Sequence, residues 1–150
     1  MRARTVSGIV KNMATNSSPH PHGYSGKPLF EKLGLKPGLV TLVIGAPDHY
    51  EDLVAEAESV RFRKRASSAD VVHLFCPNRK RLEQKLESAL SKVVPGGMLW
   101  VSWPKKSSPL FQDLTEDKLR EFILPLGWVD VKVCAVDTDW SALKFVRRKS

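Results

Sequence analysis

Three almost continuously apolar segments constrain the fold of this chain more than any other feature. Each has the length of one strand and is bordered by glycine or proline: Leu39–Ile44, Val71–Cys76 and Met98–Trp103. A strand that is apolar at successive positions is covered on both faces, as in a parallel sheet with helices on either side. The three segments therefore predict the centre of a mostly parallel sheet.

Helix signals lie between these segments, and a hairpin signal follows them. Residues 79–93 carry apolar side chains along one stripe, which predicts the clearest helix. Shorter helices are predicted from Pro28 to Gly34, from Asp48, and from a cap at Asp113 or Thr115. Residues 60–63 form a weak strand candidate. Two further strands, 129–136 and 142–146, are joined by the turn Asp137-Thr138-Asp139, so we expect them to be antiparallel neighbours.

Strand–helix alternation followed by a hairpin predicts an α/β fold, a Rossmann-like three-layer sandwich whose mostly parallel sheet ends in an antiparallel pair. The chain has 150 residues, which fits one domain. We assign residues 23–150 to a single domain. Residues 1–22 are polar and aperiodic, and we expect them to form a flexible tail.

Charge and composition bear on partners and compartment. The formal net charge is +8, but most of the excess lies in residues 1–36, so the folded part offers no large basic face. We therefore do not expect nucleic acid as the main partner. The N-terminus has no signal-peptide core and no apolar run spans a bilayer. Cys76 and Cys134 sit in apolar runs, as free thiols do, and we expect a cytoplasmic protein without membrane contact.

The topology predicts where a ligand would bind. In open α/β sheets, ligands lie outside the carboxyl ends of the strands. The segments expected there are Gly45-Ala46-Pro47, Cys76-Pro77-Asn78 and Trp103-Pro104-Lys105-Lys106, joined by the hairpin turn Asp137–Trp140 if its first strand is parallel to the others. Trp103 with Lys105 and Lys106 would place an aromatic face beside two cations. The structural alternative is that Trp103 caps the core, the lysines are solvated and the acids form an Asx turn.

The order of elements resembles the S-adenosylmethionine methyltransferase fold, whose sheet also ends in an antiparallel hairpin. The phrase that carries this resemblance runs from Val94 to Val101 (VPGGMLWV). It is similar to the passage of helix, PGG and strand that is common in that fold. The likeness covers most of residues 29–148 and implies a reduced form of the methyltransferase fold.

The chain is also similar to a bacterial family of small uncharacterised proteins. The matching phrases are Gly23–Leu29 (GYSGKPL), Met98–Lys106 (MLWVSWPKK) and Asp113–Asp117 (DLTED), continuing through to Trp140. They span nearly the whole expected domain. This second resemblance supports the Rossmann-like fold and implies no particular activity.

Two positions depart from what an adenosylmethionine or NAD site requires. The first turn, Gly45-Ala46-Pro47, has one glycine and a proline without an N–H, and the second strand ends in Arg63 and its basic neighbours instead of an acid. No nucleophile elbow is present, and His73 and Cys76 are three residues apart on one strand and so face opposite ways. From these residues we expect no catalytic group, no metal site and no cofactor.

The interpretation that follows is a non-catalytic Rossmann-like module. It would bind a small anionic ligand or a protein partner at the carboxyl edge of the sheet. The candidate ligand residues are Tyr24, Lys27, Gly45, Trp103, Lys105, Lys106, Asp137 and Trp140. The first alternative is a divergent adenosylmethionine-dependent methyltransferase. The second is weak, nonspecific nucleic-acid binding through the tail, Arg61–Arg65 and Arg147-Arg148-Lys149.

Overall fold

The computed structural model describes residues 27–149, which form one six-stranded sheet with helices on both faces. The helices are α1 (Leu29–Lys32), α2 (Tyr50–Leu53), α3 (Arg79–Ser91) and α4 (Glu116–Ile123), with a 3-10 turn at Leu124–Leu126. The strands are β1 (Val40–Ile44), β2 (Arg61–Arg63), β3 (Ala69–Phe75), β4 (Val93–Pro104), β5 (Trp128–Ala135) and β6 (Trp140–Arg147). The expected tail and its boundary at residue 23 lie outside the described residues. No helix within residues 27–149 is long and apolar enough to cross a membrane.

The strand order is β2-β1-β3-β4-β6-β5. The first four strands are parallel, and β6 lies antiparallel between β4 and β5. The predicted α/β fold with a mostly parallel sheet and an antiparallel end is therefore confirmed. Because β5 runs in the same direction as β4, the turn that joins β5 to β6 lies at the carboxyl edge of the parallel strands.

Alternating side chains of β3 separate the core into two faces. Val72 and Leu74 pack in the cluster that includes α3 and α4, whereas Val71 and Phe75 pack in the cluster that includes α1 and α2. We call these the α3 face and the α2 face. On the α2 face, the buried Trp100 indole N–H donates to the Leu33 carbonyl at 3.0 Å, which fixes the end of α1 over β4.

The structure corrects one local expectation and decides between two alternatives for another. The helix expected from Asp48 is a single turn, because its N-cap residue His49 makes no side-chain cap to the helix; an uncapped start weakens a short helix. Thr115 caps α4, while Asp113 accepts from the Arg79 backbone N–H at 2.9 Å and so reinforces the start of α3.

The Pro95-Gly96-Gly97 passage also differs from expectation, because it lies within β4 and forms no separate turn. The pairing with β3 shifts register there, between Ala69 and Val71. A Cβ on Gly97 would lie 2.6 Å from the Asp70 carbonyl oxygen and 2.9 Å from a Val93 methyl. Glycine at this position therefore lets β4 approach β3 closely.

We expect Gly97→Ala to lower the free energy of unfolding by roughly 2–3 kcal/mol, because backbone atoms must move to accept the methyl group. Gly96→Ala is the matched control. Gly96 has a φ of 81° but nothing within 4 Å of its Cβ position, so only backbone strain of about 1–2 kcal/mol is expected. Urea unfolding of both variants would measure the difference. Equal losses would show that the close approach to Asp70 is unimportant.

Candidate functional site

A cavity of about 740 Å³ opens where β1 and β2 end. Its floor is formed by the β1 residues Val43 and Ile44 and by the loop that follows them. Its walls come from α2 and β2, and the side chains with polar or aromatic groups there are Asp48, Tyr50, Glu51, Phe62, Arg63 and Lys64. We call this space the β1–β2 cavity. It lies at the carboxyl edge, where ligands of open α/β sheets bind.

Gly45 lets the chain leave β1 tightly beside β3. Its φ is 73°, and a Cβ there would lie 3.2 Å from the Phe75 carbonyl oxygen. A side chain would therefore push the loop away from β3 as well as strain its backbone. The loop backbone consequently remains accessible at the β1–β2 cavity, which Gly45 helps to line.

His49 and Asp137 form a hydrogen-bonded pair across the carboxyl edge. His49 Nε2 lies 2.6 Å from Asp137 Oδ2; the side chain of His49 is 48% exposed and that of Asp137 is 12% exposed. Asp137 is held by its other oxygen, Oδ1, which accepts the backbone N–H groups of Asp139 and Trp140, each at 2.9 Å. Nε2 is the ring nitrogen that contacts the carboxylate, so Nδ1 is the nitrogen left for other contacts.

A buried hydrogen-bonded chain fixes α2 beneath this pair. The Tyr50 hydroxyl lies 3.0 Å from His73 Nδ1, and His73 Nε2 lies 2.6 Å from the Ser102 hydroxyl. Complete burial lowers the pKa of His73 to about 3, and burial raises the pKa of Tyr50. The ring is therefore neutral at physiological pH, with one nitrogen donating and the other accepting. Because Tyr50 follows His49 directly, this chain also fixes the position of His49.

The predicted site residues divide between the edge and the core. The Lys105 backbone N–H donates to the Asp139 carbonyl at 2.8 Å, so Lys105 lies beside the hairpin turn, and Lys106 next to it is exposed. Trp103 is buried on the α3 face, whereas Trp140 is buried on the α2 face against Phe75. The expectation that Trp103 and Trp140 contribute to one site at this edge is therefore wrong, because the sheet separates their rings. The proposed ligand-binding roles of Lys105, Lys106, Asp137 and Trp140 stay predictions.

Lys27 lies in a second cavity, at the far side of the α2 face. This cavity of about 460 Å³ is lined by three lysines together with residues of the β5–β6 hairpin: Lys27, Lys32, Lys132, Val133, Cys134, Ala135 and Ser141. We call it the lysine pocket. Tyr24, which was expected to contribute an aromatic contact near Lys27, lies outside the described residues.

The basic residues at the C-terminus contact backbone carbonyls. The Arg147 guanidinium donates to the carbonyls of Val93 and Val94 at 2.9 and 3.2 Å and lies over the Trp128 ring. Arg148 donates to the Leu124 carbonyl at 3.4 Å. These contacts tie the end of the chain to the start of β4 and to the turn before β5. The structure therefore gives these two arginines a packing role.

Three residues that the structure places at the carboxyl edge or in the lysine pocket were not predicted as site residues: His49, Lys32 and Lys132. The sequence predicts a helix from Asp48 and no role for His49, although His49 comes four residues after Gly45 in the loop that a ligand would contact. Lys32 and Lys132 are 100 residues apart, so no local pattern connects them. The available signal was the alternation of Lys132 and Cys134 on an edge strand, which places both on one face.

Comparison with known proteins shows likeness in fold alone. No family model matches the chain, and no curated protein sequence matches it. Similar solved structures include an SAM-dependent methyltransferase from Geobacter sulfurreducens in complex with S-adenosyl-L-homocysteine; the identity is 12%, the TM-score 0.55, and 80% of this chain and 89% of that one are covered. The resemblance to a small bacterial family has no match in these comparisons and stays a prediction.

Two further solved structures have the same fold. The N-methyltransferase NodS from Bradyrhizobium japonicum WM9 is 12% identical with a TM-score of 0.50, covering 80% of this chain and 90% of that one. The cyclase SpnF is 9% identical with a TM-score of 0.56, covering 81% and 79%. The fold is therefore the Rossmann-like fold found in SAM-dependent methyltransferases.

The interpretation of the chain as a non-catalytic module is corrected by these neighbours. They are mainly SAM-dependent methyltransferases, and one of them holds S-adenosyl-L-homocysteine. That finding favours the methyltransferase alternative. The lining of the β1–β2 cavity includes two carboxylates, that of Asp48 from the loop after β1 and that of Glu51 from α2.

Proposed function

We propose that this chain is an adenosylmethionine-dependent methyltransferase that binds the methyl donor in the β1–β2 cavity. The observation that carries the proposal is the position of this cavity, at the carboxyl ends of β1 and β2, in a fold shared with such methyltransferases. Its volume of about 740 Å³ is in the range of sites for small molecules. The proposal does not depend on sequence identity to any neighbour.

The residues of the cavity fit the donor in two respects. Gly45 has no side chain to cover the backbone after β1. A side chain at this position would also crowd the Phe75 carbonyl oxygen. Asp48 and Glu51 supply carboxylates that accept hydrogen bonds, as a ribose diol requires. These two acids would replace the one missing at the end of β2.

The remaining wall suits the adenine ring. Val60 and Phe62 give apolar and aromatic surface, and the exposed Arg63 can stack on an aromatic face through its planar guanidinium. Asp48 and Glu51 would hold the ribose, while Phe62 and Arg63 would hold the base. When bound, adenosylmethionine supplies a methyl group attached to a positively charged sulfur.

His49, held by Asp137, would accept the proton that the methyl acceptor loses. The Nδ1 lone pair of His49 can take a proton from an acceptor hydroxyl or amine as that atom becomes nucleophilic. Asp137 stabilises the resulting imidazolium through Nε2, at 2.6 Å, and fixes the ring orientation.

We expect S-adenosyl-L-homocysteine to bind with a dissociation constant below about 10 μM, roughly −7 kcal/mol. Gly45→Ala should weaken this binding about tenfold, since the loop must move away from Phe75 to accept the methyl group. Isothermal titration calorimetry measures both values. Gly38→Ala is the matched control, because Gly38 also has a positive φ, of 90°, but has open space at its Cβ position. Absence of binding to the wild-type protein would refute the proposed function.

A further inference from the structure

Four lysines from three segments of the chain gather beside the β5–β6 hairpin: the segment of α1, the loop after β4, and β5. Lys27, Lys32 and Lys132 line the lysine pocket, and Lys105 is near enough to Lys32 to disfavour its positive charge. The described residues that line the pocket include no carboxylate. The described part of the lining is therefore basic, with three lysines.

Lys32 bears the largest cost of this arrangement. It is only 6% exposed, and burial lowers its pKa, with Lys105 and Lys132 acting in the same direction. Its Nζ donates to the Ala135 carbonyl at 3.4 Å, while Lys132 Nζ donates to the Lys32 carbonyl at 3.2 Å. Through these contacts both lysines link α1 to β5. Like charges in a partly buried site repel, and a bound anion would offset that cost.

We propose that the lysine pocket binds an anionic group, phosphate or carboxylate, of the molecule that accepts the methyl group. The assignment to the acceptor rests on the proposed function. Ala135 lines the pocket and is two residues before Asp137, so the pocket adjoins the His49–Asp137 pair at the carboxyl edge. The pair joins the loop after β1 to the turn after β5, so it links the side of the sheet that holds the β1–β2 cavity with the side that holds the lysine pocket.

The size and chemistry of the pocket define the acceptor class. Lysine ammonium groups bind phosphates and carboxylates as point charges, without the fixed planar geometry of arginine. A volume of about 460 Å³ is larger than a single ion needs and suits part of a small organic molecule. The acceptor would thus be a small anionic metabolite with a nucleophilic hydroxyl or amine.

Cys134 provides a direct reporter for the anion. Its thiol is half-buried in the pocket, whereas Cys76 is completely buried on the α3 face. Lys32 and Lys132 favour the Cys134 thiolate, although burial has the larger effect and raises the pKa of this thiol. A bound anion would shield the lysines and obstruct access. Alkylation of Cys134 by iodoacetamide, followed by mass spectrometry, should therefore slow about threefold or more in phosphate or citrate relative to sodium chloride of equal ionic strength.

Substitutions distinguish anion binding in the lysine pocket from a general effect of surface charge on Cys134. Lys132→Gln should abolish protection of Cys134 by either anion, and Lys32→Met tests the buried lysine while keeping an apolar stem. Lys80→Gln is the matched control, because Lys80 is exposed on α3, on the other face of the sheet. Protection by phosphate alone would identify a phosphorylated acceptor, and protection by citrate alone a carboxylated one. Protection by neither, or protection that persists in Lys132→Gln, would overturn the proposal.

Two measurements on the wild-type protein test this inference and the proposed function separately. Calorimetry with S-adenosyl-L-homocysteine reports the donor site, and Cys134 alkylation reports the lysine pocket. If the homocysteine derivative binds but no anion protects Cys134, the acceptor site is refuted and the methyltransferase stands. If anions protect Cys134 but the derivative does not bind, the anion site stands and its assignment to a methyl acceptor falls. With both present, Lys132→Gln should raise KM for anionic acceptors and leave kcat unchanged.

Discussion

Acidification should destabilise this protein strongly through His73. The unfolded chain takes up a proton on this residue below about pH 6.5, whereas in the folded protein the pKa of His73 is about 3. Stability is therefore fully present above pH 6.5 and is lost as the pH falls towards 3, where the loss attributable to His73 reaches roughly 4–5 kcal/mol. Urea unfolding between pH 7.5 and pH 4 would measure the part of this loss that falls in that range, roughly 3 kcal/mol.

Substitution identifies the group responsible. His73→Gln should flatten the dependence of the unfolding free energy on pH, because no proton is then taken up at this position on unfolding. His49→Gln should leave the dependence on His73 in place, since the half-exposed side chain of His49 pairs with Asp137, whereas His73 bonds to Tyr50 and Ser102. A pH dependence that is the same in His73→Gln and in wild type would exclude His73 as the main acid-sensitive group.

His49→Gln should lower the rate of methyl transfer by about 100- to 1000-fold, within the usual contribution of a general base. The expected loss is in kcat, because the β1–β2 cavity does not include His49. The measurement uses adenosylmethionine labelled on its methyl group and a panel of small carboxylated or phosphorylated alcohols and amines. Binding of S-adenosyl-L-homocysteine should stay within about twofold of wild type.

Asp137→Asn tests the partner of His49 separately. Asparagine keeps an oxygen that can accept from the backbone N–H groups of Asp139 and Trp140, so the turn should be retained. It removes the negative charge beside Nε2, and kcat should fall by less than in His49→Gln. Unchanged kcat in both variants would show that the acceptor loses its proton to another group.

The central strands and their helices could be predicted because their signals are local. The apolar run at Val71–Cys76 predicts a buried strand wherever it occurs, and the stripe of α3 predicts its buried face. The single turn of α2 could not be predicted, because His49 turns away from the helix to a partner 88 residues later. The separation of Trp103 from Trp140 was likewise hidden, since it depends on the register between β4 and β6.

The lysine pocket illustrates the same limit. Lys32 and Ala135 are 103 residues apart, and no local pattern connects them. The carboxyl edge itself was predictable, because strand direction alone decides which loops share it. Which side chains face one another across that edge is set by loop paths and strand register, and these depend on the packing of the whole sheet.

The position of β6 has a consequence for how the sheet assembles. Trp140–Arg147 follows the other five strands in the sequence but is an interior strand of the sheet, with β4 on one side and β5 on the other. Before β6 is in place, β4 has one open edge and β5 has no neighbour in the sheet. Loss of β6 would therefore divide the sheet instead of trimming its margin.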